Sequence, residues 1–227
     1  MQGISTGTGF ALGSLTVATP VITTWFIMLA LVLMSWLATR RLSTDASPMQ
    51  VGLEGIVTAM DDAINAVLPG LSGRLLPFIG TLWIFIVVAN LSGLIPGVDA
   101  PTANLPTAAA LAVLVFASVH WYGIRTEGFR TYLKHYLSPT PIMLPFHIIS
   151  EISRTLTLAI RLFGNMLSLE MAALLVLLVA GFLVPIPLLL LHMIEALIQA
   201  YIFGMLALIY IAGAVQSHQR HQLKENG

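Results

Sequence analysis

The chain contains no cysteine, and only 9% of its 227 residues are charged. The first absence excludes disulfides, iron–sulfur clusters and thiolate metal sites. The second sets it apart from soluble domains, in which about 25% of residues are charged. Ten Lys+Arg balance ten Asp+Glu, and most of them lie in short connecting segments. No basic surface of the kind that holds a phosphate backbone is built this way, so nucleic-acid binding is not expected. No G-x-x-x-x-G-K-[ST] run occurs, so the chain carries no phosphate-cradling nucleotide loop. Residues 1–19 have no charged side chain and are rich in Gly, Ser and Thr. They lack both the basic start of a secretory signal and the arginines of a transit peptide, so the first apolar run is expected to be retained as a span.

What is abundant is apolar surface. Hydrophobic residues make up 57% of the chain and mean hydropathy is +0.91, the composition of a multi-pass membrane protein. Residues 1–227 read as a single membrane domain. Residues 20–39 are long enough to cross about 30 Å of hydrocarbon, and Arg40-Arg41 ends them. Residues 48–68 differ: Met49, Leu53, Ile56, Val57, Met60, Ile64, Val67 and Leu68 recur at three- and four-residue intervals. Gln50, Glu54, Thr58, Asp61 and Asn65 fall between them. That periodicity predicts an amphipathic helix lying on the membrane surface; a helix packed on a soluble partner is the alternative. Spans are expected again at 75–91 and 106–122, joined by a Pro/Gly-rich loop carrying Asp99. A connector with Arg125, Glu127, Arg130, Lys134 and His135 leads to an apolar stretch over 145–183, free of proline after Pro145. Pro185 and Pro187 mark a turn, and 186–216 forms the last apolar helix.

The expected class is therefore all-α integral membrane, with five membrane-crossing helices plus one surface amphipathic helix. Five crossings put Arg40, Arg41, Arg74, Arg125, Arg130, Lys134, Arg220 and Lys224 on one side, which the positive-inside rule makes the cytoplasm. The N-terminus, the Asp99 loop and the Pro185 turn then face outward, and the C-terminus is cytoplasmic. A continuous helix over 145–183 is about 58 Å long at 1.5 Å per residue, near twice the apolar thickness. It either breaks or lies steeply inclined against its successor; a long inclined hairpin is the expected arrangement, because ordinary tilt of about 20° is too small.

Arg161 stands inside that stretch. Placing arginine near the bilayer centre costs about 2.5–3.5 kcal/mol on insertion scales, and its guanidinium stays protonated at any physiological pH. A permanent charge at that depth points to a partner, a wet cavity or an ion pathway. On a helical projection Arg154, Ser150 and Ser168 lie roughly 20° from Arg161, with His147 and Asn165 roughly 40° away. Glu170 falls on the opposite face. On the last helix His192, Glu195, Gln199 and Tyr210 lie within roughly 60° of one another, placed to meet Glu170 across the hairpin. Two polar routes flank one arginine: a cytoplasmic one through His147, Ser150 and Glu151, and an outward one through Asn165, Glu170, His192, Glu195 and Gln199. Taken singly, Asn165, Ser150 or Ser168 can be interhelical hydrogen-bond glue, His192 a packed structural histidine, and Arg154 a snorkelling interfacial charge. Arg161, Glu170 and Glu195 together are harder to account for structurally.

The run from Ser150 to Met166, ending Arg161-Leu162-Phe163-Gly164-Asn165-Met166, resembles the signature of subunit a of F-type ATP synthases. Gln199-Ala200-Tyr201-Ile202-Phe203 is similar to that family's second signature, and Asn90–Pro96 and Pro101–Asn104 to its earlier loop. The likeness runs in order from Pro20 to the tail. It implies a non-catalytic ion-translocating subunit with no cofactor and no metal, in a bacterial inner membrane. Its partners would be the c-subunit ring, the b subunits of the peripheral stalk, other synthase subunits and lipid. By position, Arg161 resembles the stator arginine that meets the rotor carboxylate. Asn165, Glu170, His192 and Gln199 match the outer half-channel, and Ser150 the inner one. His147 stands where some members carry an acid, and Glu195 is an additional carboxylate. The coupling ion, H+ or Na+, is left open.

Two other classes compete. A self-contained ion-coupled secondary transporter tends to show internal repeats and interrupted helices, and residues 48–68 have no later counterpart. A haem-bearing membrane anchor needs paired histidines in spans, for which only His120 and His192 come close.

Overall fold

The computed structural model describes residues 10–12, 15–17, 19–40, 48–95, 98, 100–128, 144–180 and 185–225. Among these residues there are six α-helices: α1 Thr19–Thr39, α2 Pro48–Val67, α3 Ser72–Ser92, α4 Leu105–Glu127, α5 Leu144–Ala180 and α6 Pro185–Glu225. Five of them, all but α2, are long and apolar enough to cross a membrane. Short strands Phe10–Leu12 and Leu15–Val17 pair antiparallel. They are the one non-helical element pair among the described residues, and the Gly/Ser/Thr-rich composition of residues 1–19 gave no period-2 signal for them.

The boundaries follow local chemistry. Leu68 N–H still bonds to the Ile64 carbonyl, and the chain then turns at Gly70 with φ +81°, a conformation that costs glycine nothing for want of a Cβ. Gly128 ends α4 at φ 80°, ψ 147°, donating its N–H to Ile124, in backbone space open essentially to glycine alone. Helix α4 thus runs past Tyr122 into the connector, where Arg125 sits in its last turn. Residues 129–143, with Arg130, Lys134 and His135, lie outside the described residues, as do 181–184. Helix α6 starts at Pro185 because a proline in the first turn lacks an N–H that has no helical acceptor anyway. It continues to Glu225, beyond the apolar end at Gln216.

The long stretch does not break. Helix α5 has 37 residues and α6 has 41, and 37 residues correspond to about 55 Å. A straight helix of that length fits into about 30 Å of hydrocarbon only when strongly inclined or when its ends project.

The core lies where α3, α4, α5 and α6 meet. Helix α3 contributes Leu75, Ile79, Leu82, Trp83 and Ile86, α4 contributes Ala108, Ala112, Val115 and Val119, and α5 contributes Leu158 and Leu162. Helix α6 faces them with Ala200, Phe203, Ala207, Leu208 and Ile211. Lipid tails are as apolar as leucine, so close van der Waals packing rather than water exclusion holds such helices together, and small residues allow the approach. The Trp83–Gly204 contact shows how. The indole donates Nε1 to the Tyr201 carbonyl at 3.3 Å and stacks on the Tyr201 ring at 6.1 Å. A side-chain carbon added at Gly204 would overlap that indole.

Candidate functional site

The two long helices carry the polar residues, and the structure brings some of them together. Asn165 on α5 donates Nδ2 to Gln199 Oε1 on α6 at 2.8 Å. Gln199 is 2% exposed and His192 5% exposed. Among the described residues, Gln199 Nε2 and His192 Nε2 have no hydrogen-bond partner. Half-buried Glu195 sits one turn from His192. The predicted α6 stripe is therefore real as a face: spacings of three and four residues from His192 to Glu195 to Gln199 point it into the bundle.

Arg161 emerges from the opposite condition. Its side chain is exposed, as are Ser150 and Ser168 on the same stripe. Among the described residues it has no ion-pair partner. Exposed Arg154 and Thr157 lie on the same side of α5, and the exposed apolar residues Ile149, Ile152, Leu156 and Ile160 lie farther round the helix. Leu158, Leu162 and Met166 point the other way, into the bundle. The sequence packs α5 by its apolar stripe and thereby turns the guanidinium outward.

Closer to the α5 start, Arg154 Nη1 lies 3.3 Å from Glu151 Oε1, and its guanidinium sits 5.5 Å over the Tyr210 ring. Glu151 is thus the ion-pair partner of Arg154. The pair is half-open to the outside, so it orients the two side chains more than it stabilises the fold. His147 and Glu170 are both half-buried, and each takes part in an interaction of its own.

Sequence reasoning passed over two residues here. Asn90 and Thr102 are both wholly buried at 0% exposure. Thr102 Oγ1 donates to Asn90 Oδ1 at 2.7 Å, and Asn90 Nδ2 donates to the Ala196 carbonyl at 3.3 Å on α6. A signal existed: Asn90 continues the buried Leu75, Ile79, Leu82, Ile86 face of α3 at helical spacing. A polar side chain on such a face needs an interhelical partner.

An apolar cavity of about 560 Å³ opens between α1, α3 and α4, lined by Met28, Phe78, Phe85, Leu111 and others. It includes none of the polar residues of α5 and α6 and does not belong to their site. Among the described residues no cluster of His, Asp and Glu could hold a metal ion.

Comparison with known proteins places this geometry in a lineage. The family model for the ATP synthase A chain matches residues 21–212. The chain is 62% identical over 208 residues to ATP synthase subunit a 2 of Pelobacter propionicus, covering 92% of this chain and 91% of that one. It is 56% identical over 227 residues to ATP synthase subunit a of Legionella pneumophila, covering 100% and 97%. It is 60% identical over 215 residues to ATP synthase subunit a 1 of Hahella chejuensis, covering 95% and 92%. The chain therefore belongs to the ATP synthase subunit a family, the non-catalytic, ion-translocating component of the membrane sector of the enzyme.

Proposed function

We propose that Arg161 is the stator charge between two ion half-channels, and that this chain couples translocation of H+ or Na+ to rotation of a ring of c subunits. The observation that carries the reading is the exposed guanidinium in the middle of a helix that is long and apolar enough to cross a membrane. A charge that cannot be neutralised is stabilised there by a carboxylate arriving on another chain. The ion enters from outside along Asn165, Glu170, His192, Glu195 and Gln199. Buried nitrogens of His192 and Gln199 with no partner among the described residues suit such a route, because an unpaired polar atom in hydrocarbon costs several kcal/mol unless water or a passing ion serves it.

The ion then occupies the rotor carboxylate, travels with the ring, and leaves by the inner route through Ser150 and His147. Arg161 discharges the returning carboxylate and repels any cation that would pass directly between the routes. Each charge crossing 100 mV releases about 2.3 kcal/mol for torque. The peripheral-stalk b subunits hold the chain still, and α2 rests on the cytoplasmic surface. The N-terminus faces outward and the C-terminus the cytoplasm of a bacterial inner membrane.

The test is ATP-driven ion pumping by the whole complex in vesicles carrying Arg161→Ala. Pumping is expected to vanish while the complex still assembles; pumping at the wild-type rate overturns the assignment.

A further inference from the structure

The Thr102–Asn90–Ala196 relay lies beside the outward route without belonging to the residues assigned to it. We infer that Thr102 is a positioning residue for ion entry: through Asn90 it fixes the turn of α6 that presents His192 and Glu195. This rests on the reading of those residues as the outer route.

The geometry is specific. Asn90 has one acceptor and one donor end, and an amide with two partners of opposite kind has a single orientation. The Thr102 hydroxyl donates to Oδ1 at 2.7 Å, which leaves Nδ2 to face the Ala196 carbonyl at 3.3 Å. A helical carbonyl has a second lone pair to accept it. Ala196 adjoins Glu195 and lies one turn beyond His192. Thr102 itself sits in the turn Pro101–Ala103, directly after buried Ala100 and Pro101. That turn packs closely on the end of α3: a methyl group at Gly93 would come within 2.9 Å of Ala100 Cβ. One chain of hydrogen bonds thus joins the connecting turn, the end of α3 and the His192–Ala196 turn of α6. Both polar residues are wholly buried, so each bond, once removed, leaves a partner that water does not readily satisfy.

The ionisable groups on this turn are His192 and Glu195, and α5 carries Glu170. The ionisable groups of α3 and α4 lie at the far end, where Tyr122 of α4 bonds to the Arg74 carbonyl, and Pro101–Ala103 contributes none. Removing the Thr102 hydroxyl therefore changes the setting of these groups without changing any charge.

The experiment measures ATP synthesis by the reconstituted complete synthase as a function of external ion concentration, with H+ and Na+ each tried as the driving ion. Thr102→Val is expected to raise the half-saturating concentration about five- to tenfold, the equivalent of about 1–1.4 kcal/mol, with less than about a twofold loss of maximal rate. Thr102→Ser, which keeps the hydroxyl, is expected to stay within about twofold of wild type. An unchanged half-saturation, a fall in maximal rate alone, or a Thr102→Ser variant as impaired as Thr102→Val overturns the inference. Should Thr102→Val not assemble, Thr102→Ala takes its place under the same criteria; failure of both to assemble makes Thr102 a structural residue and also overturns it. Arg161→Ala run in parallel separates the two readings. An active Arg161→Ala complex removes the channel assignment itself, whereas an inactive one beside a wild-type Thr102→Val removes only the role of Thr102.

Discussion

Asn165 and Gln199 are 34 positions apart in sequence, yet their side-chain amides meet at 2.8 Å across the α5–α6 hairpin. The bond joins the helix that displays Arg161 to the helix that buries His192. It sits one turn from Arg161, since Asn165 follows it by four residues. Relative movement of the two helices near the arginine therefore has to break it.

The first prediction concerns that bond. Interhelical hydrogen bonds in membranes average about 0.6 kcal/mol and reach about 1.7. Asn165→Ala and Gln199→Ala should each lower the stability of the assembled complex, and the double variant should cost less than their sum. A double-mutant cycle on thermal inactivation of ATP-driven pumping checks this; full additivity would show that the two amides do not cooperate.

The second concerns the Trp83–Gly204 seat. Overpacking a close helix contact costs about 1–3 kcal/mol, and the carbon added by Gly204→Ala overlaps the indole. Gly204→Ala should reduce the amount of subunit incorporated into membranes, and Trp83→Leu in the same chain should recover part of it. Quantitative immunoblotting of purified membranes reads both, and equal levels in wild type and Gly204→Ala would refute the steric account.

The third distinguishes charge from shape at Arg161. Lysine keeps a positive charge but loses the planar fork that pairs with a carboxylate through two bonds. Arg161→Lys should lower ATP-driven pumping by about tenfold or more, the equivalent of about 1.4 kcal/mol. Wild-type pumping in that variant would mean that a point charge suffices.

The fourth assigns the carboxylates. Glu170→Gln and Glu195→Gln should each slow passive ion flux through vesicles stripped of the catalytic sector, and the double variant should slow it further. Undiminished flux in the double variant clears both residues of any part in conduction.

Reading Arg161 as functional required only its neighbours in sequence, because an unneutralisable charge in an apolar run is anomalous wherever the helix lies. The α6 stripe was equally legible, since His192, Glu195 and Gln199 repeat at helical spacing. Glu151 was read as part of the inner route, and the structure adds that it pairs with Arg154. Proximity on one helix face does not reveal which neighbour a long side chain selects. The Thr102–Asn90–Ala196 relay went unseen because its members are separated by 12 and 106 positions, and no periodicity within one helix encodes such a meeting.

By itself, then, the amino-acid order determined the helices found among the described residues, the place of the arginine within an apolar helix and the faces on which polar residues fall. Those properties depend on spacing along one helix and on the cost of burying charge in hydrocarbon, both of which are local. Only the tertiary structure decided that Asn165 meets Gln199, that Trp83 rests on Gly204, and that Arg161 turns outward while His192 turns in. These outcomes depend on how four helices of unequal side-chain size fit together, and that fit is a property of the assembled bundle.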